Sequence, residues 1–183
     1  MSMKTEAELI QRILDGEWRN FAILVDKYEE KVFGYVNYLM GNKEDAEEIV
    51  QDSFVKAYHA LDKFRGDASF SIWVMRIAHY GALTRLRLKA PQKVSLEKAD
   101  AFYDVPSDEL DQQDRSAILA EALRHLKEDE RSVVTLFYFN ESSLKEVCDV
   151  TGLTLSNVKI LLHRSRKKLL EILRRMGVKE STL

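Results

Sequence analysis

The residues best placed to do chemistry are the cations of one segment near the C-terminus. From Lys159 to Arg175 there are seven Lys or Arg residues and one acid, Glu171. Apolar or small residues recur there at helical spacing, at Val158, Leu162, Ser165, Leu169 and Leu173, whereas Lys159, His163, Arg166 and Lys167 fall on a different face. Such a face predicts electrostatic contact with phosphate groups rather than a reaction.

The residues before this segment predict how the basic helix is presented. Ser143 followed by Glu146 forms a capping box, Gly152 suits a turn with positive φ, and Thr154 can cap the next helix. A short helix, a glycine turn and a basic second helix are typical of a helix-turn-helix, whose second helix enters the DNA major groove. A basic face alone is often only solvated surface, but these local signals in this order favour DNA binding.

Other kinds of chemistry find no support in the residue pattern. The histidines His59, His79, His125 and His163 are scattered, and no HExxH, GxSxG or Walker lysine occurs. The single cysteine, Cys148, excludes an internal disulfide framework and a cysteine-based zinc site, and we expect it to pack in a core. We therefore expect a protein that is not an enzyme, with no cofactor, no metal and no small-molecule substrate.

An acidic face is predicted on the helix over residues 43–61. Ala46, Ile49, Val50, Phe54, Ala57 and Leu61 point toward a core. Asp45, Glu48 and Asp52 share the opposite face, flanked by Glu47 and Gln51. Two interpretations stay open, because such a face is either solvated surface or a docking surface for a basic protein groove.

Aromatic and basic residues occur together in the next segment, a loop at 64–67 and a helix at 69–89. Phe64, Phe70, Trp73 and Tyr80 lie beside Arg65, Arg76, Arg85 and Arg87. Aromatics next to arginines are used to bind single-stranded nucleic acid, and the polar loop 65–69 could form a pocket for an extruded base. Core packing is the stronger alternative for Phe70 and Trp73.

Periodicity and composition predict an all-α protein. Seven Gly and two Pro among 183 residues leave little room for a turn-rich β fold. Helical periodicity covers residues 4–14, 18–40, 43–61, 69–89, 116–126, 129–139, 144–150 and 155–175. We predict two small helical domains, 1–89 and 115–183, joined by a flexible acidic linker, 90–114, and we expect the two to behave as separate bodies in solution.

Charge and hydropathy bound the location and the partners. The net charge of −2 argues against a generally basic DNA-coating protein, but the charges are segregated along the chain. The N-terminus lacks the apolar core of a signal peptide, and no apolar run is long enough to span a membrane. We expect a cytoplasmic protein without membrane insertion.

Three blocks occur in one order: DAEEIVQDSFVKAY, FRGDASFSIWVMRIAH and the helix-turn-helix ending VKILLHRSRKKL. Together they resemble a bacterial RNA polymerase sigma factor of the extracytoplasmic-function type, over about residues 18–173. The resemblance implies two helical domains, region 2 and region 4, in a transcription initiation factor. It implies binding to core RNA polymerase, through the β′ clamp helices and β, and to promoter DNA. Control by an anti-sigma factor is common in this family.

The resemblance also implies roles for individual residues. The segment that docks on the polymerase corresponds to Asp45, Glu47, Glu48, Gln51, Asp52 and Phe54. The elements that capture a flipped base and read and melt the −10 region correspond to Arg65, Gly66, Asp67, Ser69, Phe70, Trp73, Arg76, His79, Tyr80 and Arg85. The −35 recognition helix corresponds to Ser156, Asn157, Lys159, Leu161, His163, Arg164, Arg166 and Lys167.

Several positions depart from the family pattern. Tyr80 and Thr84 stand where Asn and Asp are common, and Ile160-Leu161 replace a frequent Ser-Arg pair. Leucine cannot hydrogen-bond a base edge, so a family consensus promoter does not carry over. Two alternatives remain at this point: a helix-turn-helix regulator that binds duplex DNA without polymerase, and a polymerase-binding adapter that reads no promoter.

Overall fold

The structure is a computed structural model that describes residues 3–89 and 112–178, and these residues are predominantly helical. The α-helices of the described residues are α1 Met3–Leu14, α2 Phe21–Met40, α3 Lys43–His59, α4 Phe70–Lys89, α5 Gln112–Arg124, α6 Glu128–Val134, α7 Leu144–Thr151 and α8 Leu155–Arg175. Single 3-10 turns precede α2 and follow α3, at Trp18–Asn20 and Leu61–Lys63. The predicted all-α fold is confirmed.

The first half of the chain packs α2, α3 and α4 around one core. Tyr35, Leu24 and Leu39 of α2 and Phe70 and Met75 of α4 are among its largest fully buried side chains. The apolar face predicted for α3 is buried as expected. Gly41 ends α2 with φ 65°, which is why a two-residue connection suffices before Asn42 caps α3.

Local capping signals build the helix-turn-helix of α7 and α8. The backbone N–H of Ser143 donates to the Glu146 carboxylate at 2.7 Å, and the Glu146 N–H donates to Ser143 Oγ at 3.3 Å. Gly152 has φ 74°, and the Asn157 N–H donates to Thr154 Oγ1 at 3.3 Å. The capping box, the glycine turn and the second cap are therefore confirmed.

A π-helical turn interrupts the helix predicted over residues 129–139. The α-helical hydrogen bonds of α6 stop at Val134, and Thr135–Phe139 form the π turn. The turn carries Phe139 onto Tyr38 of α2, with stacked rings 5.1 Å apart. The irregular turn thus supplies one contact between the two halves of the chain.

The two halves share a continuous core in this structure, whereas the sequence led us to expect separate bodies in solution. Val133, Leu136, Val147, Val150, Val158 and Leu162 of the second half belong to the same buried cluster as the core of the first half. Hydrogen bonds reinforce the contact. Arg131 Nη1 donates to the Leu39 carbonyl at 2.7 Å, Asn140 Nδ2 donates to the Lys31 carbonyl at 3.2 Å, and Arg124 donates to the Gly41 carbonyl. Small domains bury a smaller share of their apolar surface than large ones, so packing the two halves together lets each cover apolar surface of the other.

The expected linker lies mostly outside the described residues. Residues 90–111 are not described, whereas residues 112–114 already belong to α5, three residues before the expected start of the second domain. Within residues 3–89 and 112–178, no helix combines the length and the apolar character needed to cross a membrane.

Candidate nucleic-acid and partner-binding surfaces

Helix α8 presents most of the predicted recognition residues to solvent. Ser156, Asn157, Lys159, His163, Arg164, Arg166 and Lys167 are all exposed. Leu161 is the exception, because it is partly buried and packs against the main core. Ile160, with 49% of its surface exposed, is an apolar side chain available on this helix, as is Leu155 at its first turn. Ile160 lies one helical turn from Ser156 and from His163, so its spacing alone places it beside them, whereas the family resemblance names Leu161.

The polar loop after α3 lines a solvent-open cavity of about 290 Å³. Its lining includes the loop residues Lys63, Phe64, Arg65, Gly66, Asp67 and Ala68, the α4 residues Trp73 and Arg76, and the α7 residues Lys145 and Asp149. The loop pocket is therefore present, and α7 forms one of its walls. Lys145 and Asp149 were not predicted, since nothing in a local pattern places α7 beside a loop so distant in sequence. Ser69 does not line the cavity, and its Oγ accepts from the Ile72 N–H at 3.4 Å at the start of α4.

Two residues predicted to touch −10 DNA are buried instead. Phe70 is fully buried and packs edge-on against Phe64 and at a tilt against Trp73, with ring distances of 6.0 and 5.8 Å. His79 is 2% exposed. Neither side chain offers a direct DNA contact in this arrangement, because both fill the core on the inner side of α4. Trp73 is half-buried against the core, so the core-packing alternative holds for it.

The outer side of α4 contacts the helix-turn-helix. Arg76 Nη1 donates to the Asp149 carbonyl at 3.2 Å, and Tyr80 Oη donates to the Thr151 carbonyl at 3.5 Å. The Arg76 guanidinium lies 5.8 Å from the centre of the Tyr80 ring. Both residues are exposed, yet they also hold the C-terminal end of α7. A substitution at either position therefore changes a predicted DNA contact and a contact between the halves together.

The acidic surface of α3 is smaller than the sequence suggests. Glu47, Glu48, Gln51 and Asp52 are exposed, and we call these four residues the acidic surface. Asp45 and Phe54 were also predicted to dock on a partner, but both are buried. Asp45 forms ion pairs with Arg85 at 3.3 Å and Lys89 at 2.5 Å, and Phe54 belongs to the core. Both residues therefore lie inside the protein, behind the acidic surface, and are not part of it.

The charge of Glu48 is also engaged within the chain. Arg85 Nη2 donates to Glu48 Oε1 at 2.6 Å, and this hydrogen bond lowers the pKa of Glu48 and raises the pKa of Arg85. The basic end of α4 and the acidic surface of α3 therefore meet at one ion-pair cluster, formed by Asp45, Glu48, Arg85 and Lys89.

A buried polar pair lies where α2, α4 and α6 meet. Tyr35 Oη and His79 Nδ1 are 2.6 Å apart, and Ser132 of α6 also hydrogen-bonds Tyr35. Burial lowers the pKa of His79 to about 4; Asp129 acts in the opposite direction, and Arg76 lowers it further. Burial also raises the pKa of Tyr35. At neutral pH both groups are therefore uncharged, as a low-dielectric junction favours.

Comparison with known proteins identifies relatives over most of the chain. Residues 24–91 match the family Sigma-70 region 2, and residues 116–169 match Sigma-70, region 4. RNA polymerase sigma factor YlaC of Bacillus subtilis is 32% identical, covering 80% of this chain and 87% of the relative. ECF RNA polymerase sigma factor SigW of the same species is 29% identical over 90% and 95%. RNA polymerase sigma-H factor of Pseudomonas aeruginosa is 28% identical over 91% and 93%.

Solved structures share the fold. CnrH, solved in complex with the cytosolic domain of CnrY, aligns with a TM-score of 0.70 at 24% identity, covering 92% of this chain and 97% of the other. The sigma factor RpoE of Bartonella quintana, solved with the anti-sigma factor NepR, aligns with a TM-score of 0.67 at 20% identity, covering 85% and 98%. The two matched regions and the full-length relatives decide the assignment: the chain belongs to the sigma-70 family as an extracytoplasmic-function sigma factor, a transcription initiation subunit that directs RNA polymerase to promoters.

Proposed function

We propose that this sigma factor binds its partners through three surfaces. The acidic surface of α3 docks on a cationic surface of core polymerase, the loop pocket and the outer side of α4 engage the −10 element, and the exposed side of α8 reads the −35 element. The observation that supports this division is the segregation of charge: the acids of α3 and the cations of α8 lie on different exposed helices. Opposite charges suit a protein partner and phosphate respectively.

Engagement of both promoter elements requires the two halves to separate. The −10 and −35 elements lie about 25 base pairs apart, which is about 85 Å of B-DNA at ~3.4 Å per base pair. In the packed arrangement, α7 of the helix-turn-helix lines the same cavity of about 290 Å³ as the loop. The loop and the helix-turn-helix cannot reach sites so far apart while both line one cavity. The packed arrangement is therefore the resting form, and the open one binds promoters.

Regulation by an anti-sigma factor fits the same arrangement. The related sigma factor RpoE of Bartonella quintana was solved with the anti-sigma factor NepR. A partner that binds across both halves of this chain would stabilise the packed form and withhold the DNA-binding surfaces, because a ligand shifts an equilibrium toward the state it prefers. The protein would act in the bacterial cytoplasm, because core polymerase is found there.

Transcription by core polymerase with and without this protein tests the proposal. Start sites mapped on genomic templates should appear only when the protein is present and should share −35 and −10 sequences. Binding to duplex DNA without any effect on core polymerase would instead identify a regulator of another kind. Binding to polymerase without new start sites would identify an adapter.

Replacement of Asp67 with Ala should change which −10 sequences are opened. Asp67 is exposed and lines the loop cavity, so its loss removes a polar contact to an extruded base and little of the core. We expect preference among bases at the extruded position to shift about tenfold, as for loss of one base-specific contact of ~1–3 kcal/mol. Permanganate footprinting on a set of −10 variants measures it.

Ser69→Ala provides the matched control, because this hydroxyl caps α4 and lies outside the cavity. It should lower thermal stability slightly without reordering the −10 variants. If Asp67→Ala opens every variant in the same order as the wild type, the loop does not select the base.

A further inference from the structure

Arg85 lies between two surfaces that serve different partners. It belongs to the basic end of α4, but its guanidinium contacts the carboxylates of Asp45 at 3.3 Å and Glu48 at 2.6 Å on α3. Lys89, one turn further along α4, also contacts Asp45, at 2.5 Å. Two cations and two carboxylates thus form a neutral cluster at the edge of the acidic surface.

We propose that Arg85 couples polymerase docking to DNA binding, because its guanidinium exchanges the Glu48 carboxylate for a DNA phosphate when a polymerase cation pairs with Glu48. This inference rests on the proposed function, because it requires the acidic surface to meet a cationic surface of polymerase. While the cluster is intact, the ion pair with Arg85 competes with any polymerase cation for the Glu48 carboxylate. The same ion pair competes with DNA phosphate for the Arg85 guanidinium.

The exchange follows from the equal numbers of cations and carboxylates in the cluster. Glu48 has a side chain that is 58% exposed, so a cation of a partner can reach it, whereas the Asp45 side chain is 11% exposed. Once a partner cation neutralises Glu48, Asp45 alone faces both Arg85 and Lys89. One carboxylate cannot neutralise two cations, so the basic end of α4 gains a net positive charge. Docking thereby increases attraction to DNA phosphate.

This mechanism predicts an effect of unusual sign: loss of a DNA-contacting arginine should tighten binding to polymerase. Arg85→Gln should bind core polymerase about two- to fivefold more tightly in a fluorescence titration at physiological salt, because an exposed ion pair no longer competes for Glu48. The fold should persist, since Asp45 keeps Lys89 as its partner. If Arg85→Gln melts at a much lower temperature, Arg85→Lys replaces it, because one ammonium group cannot span both carboxylates.

Arg87→Gln is the matched control. Arg87 is exposed on the same helix, and no ion pair joins it to a residue of the described ranges, so Arg87→Gln removes the same charge without freeing Glu48. Its affinity for core polymerase should stay within about twofold of the wild-type value, while both variants bind promoter DNA more weakly.

A double-mutant cycle with Glu48→Gln tests whether Arg85 affects polymerase binding through Glu48. The gain in polymerase affinity from Arg85→Gln should vanish when Glu48 is already neutral. An equal gain in both backgrounds, or no gain beyond that of Arg87→Gln, would overturn the coupling while leaving the docking surface intact. Failure of the proposed function gives a different result, since charge reversal of the acidic surface would then leave polymerase binding unchanged.

Discussion

Charge reversal at Glu48 and Asp52 together should weaken binding to core polymerase by about 100-fold or more. Both residues are exposed on α3 and one turn apart, so the variant Glu48→Lys with Asp52→Lys replaces two attractions with two repulsions. Like charges brought together at an interface cost several kcal/mol, and ~1.4 kcal/mol is a factor of ten. Titration of labelled protein with core polymerase measures the change.

Asp26→Lys with Glu29→Lys controls for net charge. Both positions are exposed on α2, and the pair alters the total charge by the same amount away from the acidic surface. The control variant should bind polymerase about as well as the wild type. Equal weakening by the two double variants would show a general charge effect, and unchanged binding in the α3 variant would refute the docking surface.

Stability should fall between pH 6.5 and pH 4 because of His79. The pKa of this buried side chain is about 4 in the folded protein, against 6.5 for a free histidine. A lowered histidine pKa means that the unfolded state takes up the proton first, so the stabilising contribution is present above pH 6.5 and is lost as the pH falls toward 4. A shift of this size corresponds to roughly 3 kcal/mol in the free energy of unfolding. Urea unfolding across this pH range measures it.

His79→Gln removes the titrating group while retaining a polar side chain beside the Tyr35 hydroxyl. Its stability should be nearly independent of pH between 6.5 and about 4.5, below which carboxylates with lowered pKa, such as Glu6 and Glu130, begin to lose their ion pairs. The exposed His163 supplies the control, since His163→Gln should keep the wild-type profile. If the stability of His79→Gln depends on pH as that of the wild type does, groups other than His79 cause the loss of stability in acid.

Local signals in the sequence predicted most helices and both caps of the helix-turn-helix. Ser143, Gly152 and Thr154 act on backbone groups within a few residues, so their effects depend little on the rest of the chain. The bounds of α8 agree with the prediction for the same reason. The π turn at Thr135–Phe139 was missed, because an α-helical period continues through it in the sequence.

Long-range contacts account for what the sequence could not predict. Asp45 looks like a solvent-facing acid in an acidic helix, but Arg85 and Lys89, forty or more residues later, allow its burial. His79 looks like a polar residue of a DNA-binding helix, but Tyr35 supplies a buried partner. Periodicity shows that a helix has an apolar face and cannot show which helix covers it, so the packing of α7 near α4 was missed.

The shared core of the two halves also sets how readily promoters respond to this protein. If only the open form binds DNA, the apparent dissociation constant equals the intrinsic one divided by the fraction of molecules that are open. Each ~1.4 kcal/mol of packing therefore raises tenfold the concentration needed to occupy a promoter. Val147 and Val150, fully buried in that core, would then tune the threshold concentration of the factor without touching polymerase or DNA.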